Sequence, residues 1–204
     1  MPEHTTYGIT PMFSSPRSRR RFSPMTLPPV SQFPITTLQG PTLTVRPLHP
    51  DDHEALYAAA ADPAIWALHP EPTRWQRAAF DRGFWSGALA CGTAFVVTVT
   101  ATGEVIGGSR YYDYDPSTRR VCIGYTFLVR AHWGTTTNAE LKQLMLDHAF
   151  RYVDRVEFHI GVGNLRSRRA IEKLGAHLDR EESWDVHGVP SPHAIYRIDA
   201  PART

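Results

Sequence analysis

The stretch Phe127–Val153, FLVRAHWGTTTNAELKQLMLDHAFRYV, begins as an apolar strand and ends as an amphipathic helix, with a polar loop between them. The loop contains an arginine, one glycine and three threonines. A loop that leads from a strand into a helix is a common phosphate site, because the first N–H groups of a helix have no partner within it. Glycine usually allows such a loop to approach the anion. The threonines therefore leave a second interpretation open, in which they only cap the helix.

The helix of this stretch is predicted from residues that recur on one apolar face. A second strand-to-helix unit follows, with the sequence RVEFHIGV and then NLRSRRAIEKLGA. Asn164 is a suitable N-cap for that second helix, and Gly175 suits the position after its end. The apolar face of the first helix consists of Leu141, Leu144, Met145, His148, Ala149 and Tyr152.

The remaining elements are mostly strands, with two helices after the first strand. The run TLTVRPL at 42–48 alternates in the manner of a half-buried strand, and Asp51 or Asp52 is a suitable N-cap for the helix that follows. The turn at Thr102–Gly103 predicts a hairpin. The resulting order is β, α, α, β, β, β, α, β, α, β, β. It predicts an α+β fold with a mixed, mostly antiparallel sheet flanked by helices.

Composition excludes several other classes of protein. The net charge of +2 is too balanced for a chain that binds nucleic acid over its whole surface. Two cysteines, Cys91 and Cys122, are too few for a disulfide framework and show no metal-binding spacing, so we predict a reduced, cytoplasmic protein without a metal. No apolar run approaches the roughly 18–20 residues of a membrane-spanning helix.

Residues 1–40 differ in composition from the rest of the chain. They are rich in serine, proline and arginine, and we predict a flexible N-terminal arm followed by one domain over residues 41–200. The basic run Arg17–Arg21 indicates either a solvated tail or a contact with nucleic acid.

The two strand-to-helix units resemble the GCN5-related N-acetyltransferase (GNAT) superfamily, in particular its RimJ/RimL branch, which includes enzymes that acetylate ribosomal-protein N-termini. The similarity covers roughly residues 42 to 200. It implies a sheet whose central strand pair splays apart, with acetyl-CoA as co-substrate and its pantetheine arm in the gap. It also implies direct transfer of the acetyl group, in a ternary complex, to a primary amine of a protein N-terminus or a small molecule.

The resemblance also implies the cofactor-binding residues. They lie on the splayed strand, in the loop and at the start of the last helix, and the backbone N–H of Leu128 is expected to be the oxyanion donor. The sequence departs from the family at Thr136, Asn138 and Ile171, which stand where many members have glycine, a small residue and a tyrosine acid. The predicted cofactor-binding residues are Phe127, Leu128, Val129, Arg130, Trp133, Gly134, Thr135, Thr136, Thr137, Asn138, Asn164 and Ser167.

Tyr125 and Asp113 are the candidate catalytic side chains, since acetyl transfer from a thioester needs groups that accept and supply protons. Asp113 also suits a solvated turn, and Tyr125 a packing role. Cys122 stands where related sequences often carry an acidic residue, and we expect it to pack as a small apolar group. A wet cleft would need no dedicated base.

Two other functions remain open at this point. The departures from the family pattern are compatible with a catalytically degraded acyl-CoA-binding module. The basic arm is compatible with a nucleic-acid- or ribosome-associated protein. The expected partners are acetyl-CoA and an amine acceptor, without a membrane, and a homodimer is left open.

Overall fold

Eight strands form one mixed sheet in the computed structural model, which describes residues 33–186 and 189–202. Their spatial order is β1-β2-β3-β4-β5-β6-β8-β7, and every neighbouring pair is antiparallel except β5 and β6. The strands are β1 (Leu38–Gln39), β2 (Leu43–Pro47), β3 (Ala94–Val99), β4 (Val105–Asp115), β5 (Arg120–Leu128), β6 (Arg155–Gly161), β7 (His177–Val186) and β8 (Val189–Asp199).

Helices cover both faces of the sheet. The second of the two helices predicted after the first strand is divided into Arg77–Phe80 and Ser86–Cys91, which are joined by a π-helical turn at Asp81–Trp85. The helices are α1 (His53–Ala60), α2 (Pro63–Trp66), α3 (Arg77–Phe80), α4 (Ser86–Cys91), α5 (Thr137–Ala149) and α6 (Leu165–Glu172), with short 3₁₀ turns at Pro50–Asp52 and Arg130–His132. No helix among the described residues has the length and apolar character to cross a membrane.

Two apolar cores result from this arrangement. One core joins α5 and α6 to the sheet and contains Leu141, Met145 and Ile171. The other core joins α1 to α4 to the opposite face and contains Phe84 and Phe127. These faces are called the α5/α6 face and the α1–α4 face below. The mixed, mostly antiparallel sheet predicted from the sequence is confirmed.

The packed domain starts before the predicted boundary at residue 41. Phe33 is 3 % exposed and its ring packs against Tyr111, while Leu38 lies on β1 and is also buried. The carbonyl of Pro34 accepts a hydrogen bond of 2.8 Å from the Nε2 of His148. These contacts place residues 33–39 against α5 and β4. Residues 1–32, which include the basic run Arg17–Arg21, lie outside the described residues.

Candidate active site

The parallel strands β5 and β6 separate in the middle of the sheet. They are paired only from Arg120 opposite Arg155 to Cys122 opposite Glu157, although β5 continues to Leu128 and β6 to Gly161. The splayed central pair predicted from the sequence is therefore present. Beyond Cys122 the edge of β5 that faces β6 pairs with no other described strand, and an opening lies between the two strands.

A β-bulge in β5 lies beside this opening. Gly108 of β4 is opposite Phe127 and Arg110 is opposite Gly124, so Ser109 faces two residues of β5, Tyr125 and Thr126. Tyr125 has a φ of 51°, a conformation that side-chain-bearing residues rarely adopt. The bulge places the phenol of Tyr125 at the surface.

Leu128 directs its backbone polar groups into the opening. The N–H of the next residue, Val129, donates to the Ile106 carbonyl on β4 at 2.8 Å. Opposed pairs in an antiparallel ladder alternate between bonded and non-bonded, so the Leu128 N–H and C=O point away from β4 and toward the side that β6 has left. The Leu128 carbonyl accepts a bond of 2.9 Å from the indole N–H of Trp133.

The loop between β5 and α5 is shaped by one glycine rather than by several. Gly134 has a φ of 74°, which glycine adopts without strain. Thr136, at the position of the usual second glycine, has φ −76° and ψ −9°, an ordinary right-handed helical conformation. Its side chain therefore introduces no backbone strain.

The threonine hydroxyls are partly used within the loop. Thr135 donates to the His132 carbonyl at 2.9 Å and accepts the N–H of Thr137 at 3.2 Å, while Thr137 contacts His132 Nδ1 at 3.0 Å. Capping is thus one real role of these residues. Within residues 33–186 and 189–202, no group of the chain accepts from the N–H groups of Asn138 and Ala139 at the start of α5. Those amides fit an anion, since the helix dipole is positive there.

The Arg130 side chain forms an ion pair with a carboxylate outside the loop. Its Nε lies 2.7 Å from the Asp62 carboxylate before α2, although its side chain is 63 % exposed. Trp133 packs against both apolar cores, and the Arg166 guanidinium of α6 lies 3.9 Å from its ring centroid. Arg166 also donates to the Ile65 carbonyl at 3.1 Å. The loop, α6 and α2 are therefore connected at one end of the opening.

Asn164 and Ser167 are joined at the start of α6. The Asn164 Oδ1 accepts the Ser167 N–H at 3.2 Å, which is an N-cap bond, while the amide NH₂ of Asn164 meets no acceptor among the described residues. Asn164 also lines an open cleft of about 330 Å³, together with Gly161 after the divergence of β6 and with His69 and Pro192. Burial lowers the pKa of His69 to about 4, so this cleft contains a neutral imidazole.

A polar cluster that sequence reasoning missed lies on the α1–α4 face. Asp113, Cys122 and His159 each contribute one atom of a kind that can ligate a metal ion, and these three atoms lie within 4.8 Å of one another. The Cys122 Sγ is 3.5 Å from His159 Nε2, which is 3.3 Å from the Glu157 carboxylate. The register of β4, β5 and β6 brings these residues together across more than 40 positions, so no local motif indicates the cluster.

The charges in this cluster favour a thiol rather than a thiolate. Burial raises the pKa of Cys122, and the Arg120 guanidinium 3.5 Å away only partly offsets this effect. Burial alone would raise the pKa of Glu157, but its bond to His159 and the charges of Arg120 and Arg180 hold it below its usual range. The packing role expected for Cys122 agrees with its complete burial.

Tyr125 borders this cluster, to which Asp113 belongs. The Tyr112 ring makes edge contacts with Tyr125 at 5.3 Å and with His159 at 5.7 Å. The Arg110 guanidinium lies 3.2 Å from the Tyr125 ring centroid. Asp113 is exposed and has a φ of 48°. The two predicted catalytic side chains therefore lie on one side of the opening.

Lys142 is a buried basic residue that sequence reasoning also missed. The predicted face of α5 includes Leu144 and Tyr152, yet both are partly exposed, whereas Lys142 and Leu146 are buried. The buried face extends to Lys142 because its side chain lies between α5 and the strands β5 and β6. The Lys142 Nζ donates to the Thr126 hydroxyl at 2.5 Å, and that hydroxyl lies 2.7 Å from Ser109 Oγ.

Comparisons with known proteins agree with this geometry. The family model of the acetyltransferase (GNAT) domain matches residues 42–177, which is well over half of the chain. The chain therefore belongs to the GNAT family, and it is an N-acetyltransferase with acetyl-CoA as co-substrate. No curated protein sequence matches it significantly.

Solved structures share the fold at low sequence identity. A GCN5-related N-acetyltransferase from Brucella melitensis is 20% identical with a TM-score of 0.73, covering 82% of this chain and 80% of that one. RimJ of Mycobacterium smegmatis, solved with CoA-disulfide, is 20% identical with a TM-score of 0.62, covering 80% and 86%. Spermidine N-acetyltransferase of Vibrio cholerae, solved with CoA and spermine, is 16% identical with a TM-score of 0.61, covering 78% and 96%.

Proposed function

We propose that the protein transfers the acetyl group of acetyl-CoA directly to a primary amine while both substrates are bound. The observation that carries this proposal is the orientation of the Leu128 N–H, which points into the opening between β5 and β6. A backbone amide held in a strand is a rigid donor for the oxygen of a thioester carbonyl, whose negative charge grows during attack.

The residues of the α5/α6 face fit the co-substrate. The unpaired amides of Asn138 and Ala139 and the positive end of α5 suit a pyrophosphate. The amide NH₂ of Asn164, which has no acceptor in the described part of the chain, suits a polar group of the pantetheine arm. Arg130 contributes less charge than predicted, because Asp62 neutralises it. Both sets of groups border the opening in which Leu128 lies. When bound, the co-substrate supplies an activated acetyl group.

The acceptor approaches from the other side. Tyr125, Asp113 and His159 lie on the α1–α4 face, where an amine can reach the opening without crossing the α5/α6 face. The charge of Glu157 is balanced by two neighbouring arginines, so the exposed Asp113 is a carboxylate on this side that a cationic amine can meet. We propose that Asp113 or His159 accepts the amine proton, directly or through water, and that Tyr125 helps to orient the acceptor.

The acceptor class follows the RimJ/RimL resemblance in this proposal. A protein α-amino group and a small polyamine both supply a primary amine that can meet Asp113 on the acceptor side. The degraded-module alternative is weakened by Thr136, whose backbone conformation is compatible with any residue. Ile171 still leaves the position of the usual tyrosine acid without a proton donor, since it is an apolar residue buried in the core.

Steady-state kinetics test the mechanism. Acetyl-CoA and the acceptor are varied together, with spermine and a peptide that has a free alanine N-terminus as acceptors, and thiol release is followed. Direct attack predicts intersecting double-reciprocal lines and an N-acetylated product of the expected mass. Parallel lines, with an acetylated enzyme detected by mass spectrometry, would instead indicate a covalent intermediate.

A further inference from the structure

Lys142 is an unusual residue in this chain. It is one of two lysines among the 22 lysine and arginine residues of the chain. Its side chain is buried between α5 and the sheet, with only 4 % of its surface exposed. Its Nζ has a hydrogen bond to Thr126, and the Phe158 ring centroid lies 5.9 Å away. Among the described residues no carboxylate makes an ion pair with it, and burial alone lowers its pKa to about 7. A buried ammonium without a counter-charge destabilises a fold, so a purely structural role explains it poorly.

The position of Lys142 relates it to the opening between the strands. Thr126 belongs to β5 and Phe158 to β6, and these residues lie beyond the last paired residues, Cys122 and Glu157. The Nζ therefore lies between the diverging strands on the α5/α6 face. Thr126 and Leu128 are two residues apart on one strand, which places their side chains on the same face about 7 Å apart.

We propose that Lys142 is a catalytic residue that protonates the sulfur of the departing CoA. This inference rests on the proposed function. The acceptor nitrogen forms a bond to the acetyl carbon, the carbon–sulfur bond breaks, and the sulfur takes the electron pair and a proton from the Lys142 ammonium. The neutral lysine regains a proton from solvent, and the acceptor nitrogen loses one on the opposite side of the sheet. Lys142 thus supplies the proton to the leaving thiolate that Ile171, at the position of the usual tyrosine acid, cannot supply.

The surroundings of Lys142 leave its proton available. Thr126 on β5 and Phe158 on β6 do not titrate near neutral pH. Tyr111 of β4 also faces α5, but its hydroxyl already donates to the Met145 carbonyl at 2.6 Å. Glu157 and His159 are neighbours of Phe158 in β6, and strand alternation directs them to the other face.

Two variants and a changed leaving group test this role. Lys142→Gln keeps a hydrogen-bond donor toward Thr126 without a transferable proton, and Lys142→Met removes both. We expect each to lower kcat with acetyl-CoA by about 100-fold or more, the usual contribution of a general acid. The selenium analogue of acetyl-CoA releases a weakly basic selenolate, which leaves without protonation, so the deficit should shrink below tenfold. Lys173→Met, at an exposed position, is the control with unchanged kcat.

A readout independent of turnover comes from the two-lysine composition. Lysine labelled with ¹³C at Cε gives two NMR signals in the full chain, and the exposed Lys173 serves as the internal reference. We expect Lys142 to titrate near pH 7, and CoA to shift its signal while leaving that of Lys173 unchanged. A Lys142 that titrates near 10.5, or whose signal CoA does not move, overturns the proposal.

The outcomes separate the two proposals. If the wild-type protein releases no thiol with any acceptor, the proposed function fails, and the role of Lys142 fails with it. If the wild type turns over and Lys142→Gln matches it, or loses equal activity with the selenoester, only the role of Lys142 is overturned.

Discussion

The indole N–H of Trp133 donates a hydrogen bond of 2.9 Å to the carbonyl of Leu128. This bond attaches the loop before α5 to the end of β5. It also occupies the carbonyl of the residue whose N–H is the proposed oxyanion donor. Because N–H and C=O of one strand residue point to the same edge, the bond helps to fix the direction of that N–H.

Trp133→Phe therefore tests whether this bond positions Leu128. The ring is retained and the donor is lost, which should cost about 1 kcal/mol of folding free energy. We expect kcat to fall about tenfold, while the KM for acetyl-CoA changes less. The measurement is a kinetic comparison with a matched thermal melt. A wild-type kcat would show that the bond has no part in catalysis.

Substitutions at Gly134 and Thr136 should affect acetyl-CoA binding differently, although the family pattern has glycine at both positions. Gly134→Ala places a side chain at a φ of 74°, which costs about 1–2 kcal/mol, and no atom of the described residues lies within 4 Å of the added carbon. The loop should shift and acetyl-CoA binding should weaken about tenfold. Thr136→Gly should change the affinity by less than threefold, since no strain is relieved at a φ of −76°. Calorimetric titration with acetyl-CoA distinguishes the two variants, and equal losses would contradict this account of the loop.

Substitutions can separate the observed N-cap role of Asn164 from its proposed contact with the cofactor. Asn164→Ala removes the N-cap of α6 and the amide donor, so it should cost about 1 kcal/mol of stability and 1–3 kcal/mol of acetyl-CoA binding. Asn164→Asp keeps the oxygen that accepts the Ser167 N–H and removes only the amide donor. It should melt like the wild type but bind acetyl-CoA more weakly. Wild-type affinity in Asn164→Asp would remove the amide from the cofactor site.

Lys142 should destabilise the fold while serving catalysis. Its pKa is lowered to about 7 in the folded state from about 10.4 in an unfolded chain, so the unfolded state binds more protons between these values. Stability from this group therefore rises as the pH increases from 7 toward 10.4. Lys142→Met should increase the free energy of unfolding by about 1–3 kcal/mol at pH 6–7. Urea unfolding across pH should show the gain shrinking above pH 7, whereas a less stable variant would indicate a structural lysine.

The general architecture was predictable because its strands and helices have clear periodicity. The bounds of β2, Leu43–Pro47, lie within the alternating run predicted over 42–48, and α6 begins after the predicted cap Asn164. The contribution of Phe33 and Leu38 to the core was not predictable, because a lone aromatic in a proline-rich segment has no periodic pattern. The serine-, proline- and arginine-rich composition of residues 1–40 instead predicts a flexible arm.

The chemistry was harder to predict than the fold for a related reason. Asp113, Cys122 and His159 meet only through the register of three strands, and no local spacing encodes that register. Lys142 is adjacent in sequence to the predicted apolar face, and its burial depends on contacts with Thr126 of β5 and Phe158 of β6. The loop from Arg130 to Asn138 was predicted from its resemblance. Its internal hydrogen bonds, which also cap α5, could not be predicted from the sequence and are seen only in the structure.

The central claim is that the opening between β5 and β6 holds acetyl-CoA for transfer to an amine. Calorimetric titration of the full-length chain with acetyl-CoA, followed by thiol release with spermine and with the alanine-initiated peptide, tests it most directly. We expect saturable one-to-one binding and acceptor-dependent thiol release, both weakened by Gly134→Ala. Absence of binding would contradict it and would leave Thr135 and Thr137 with helix capping alone.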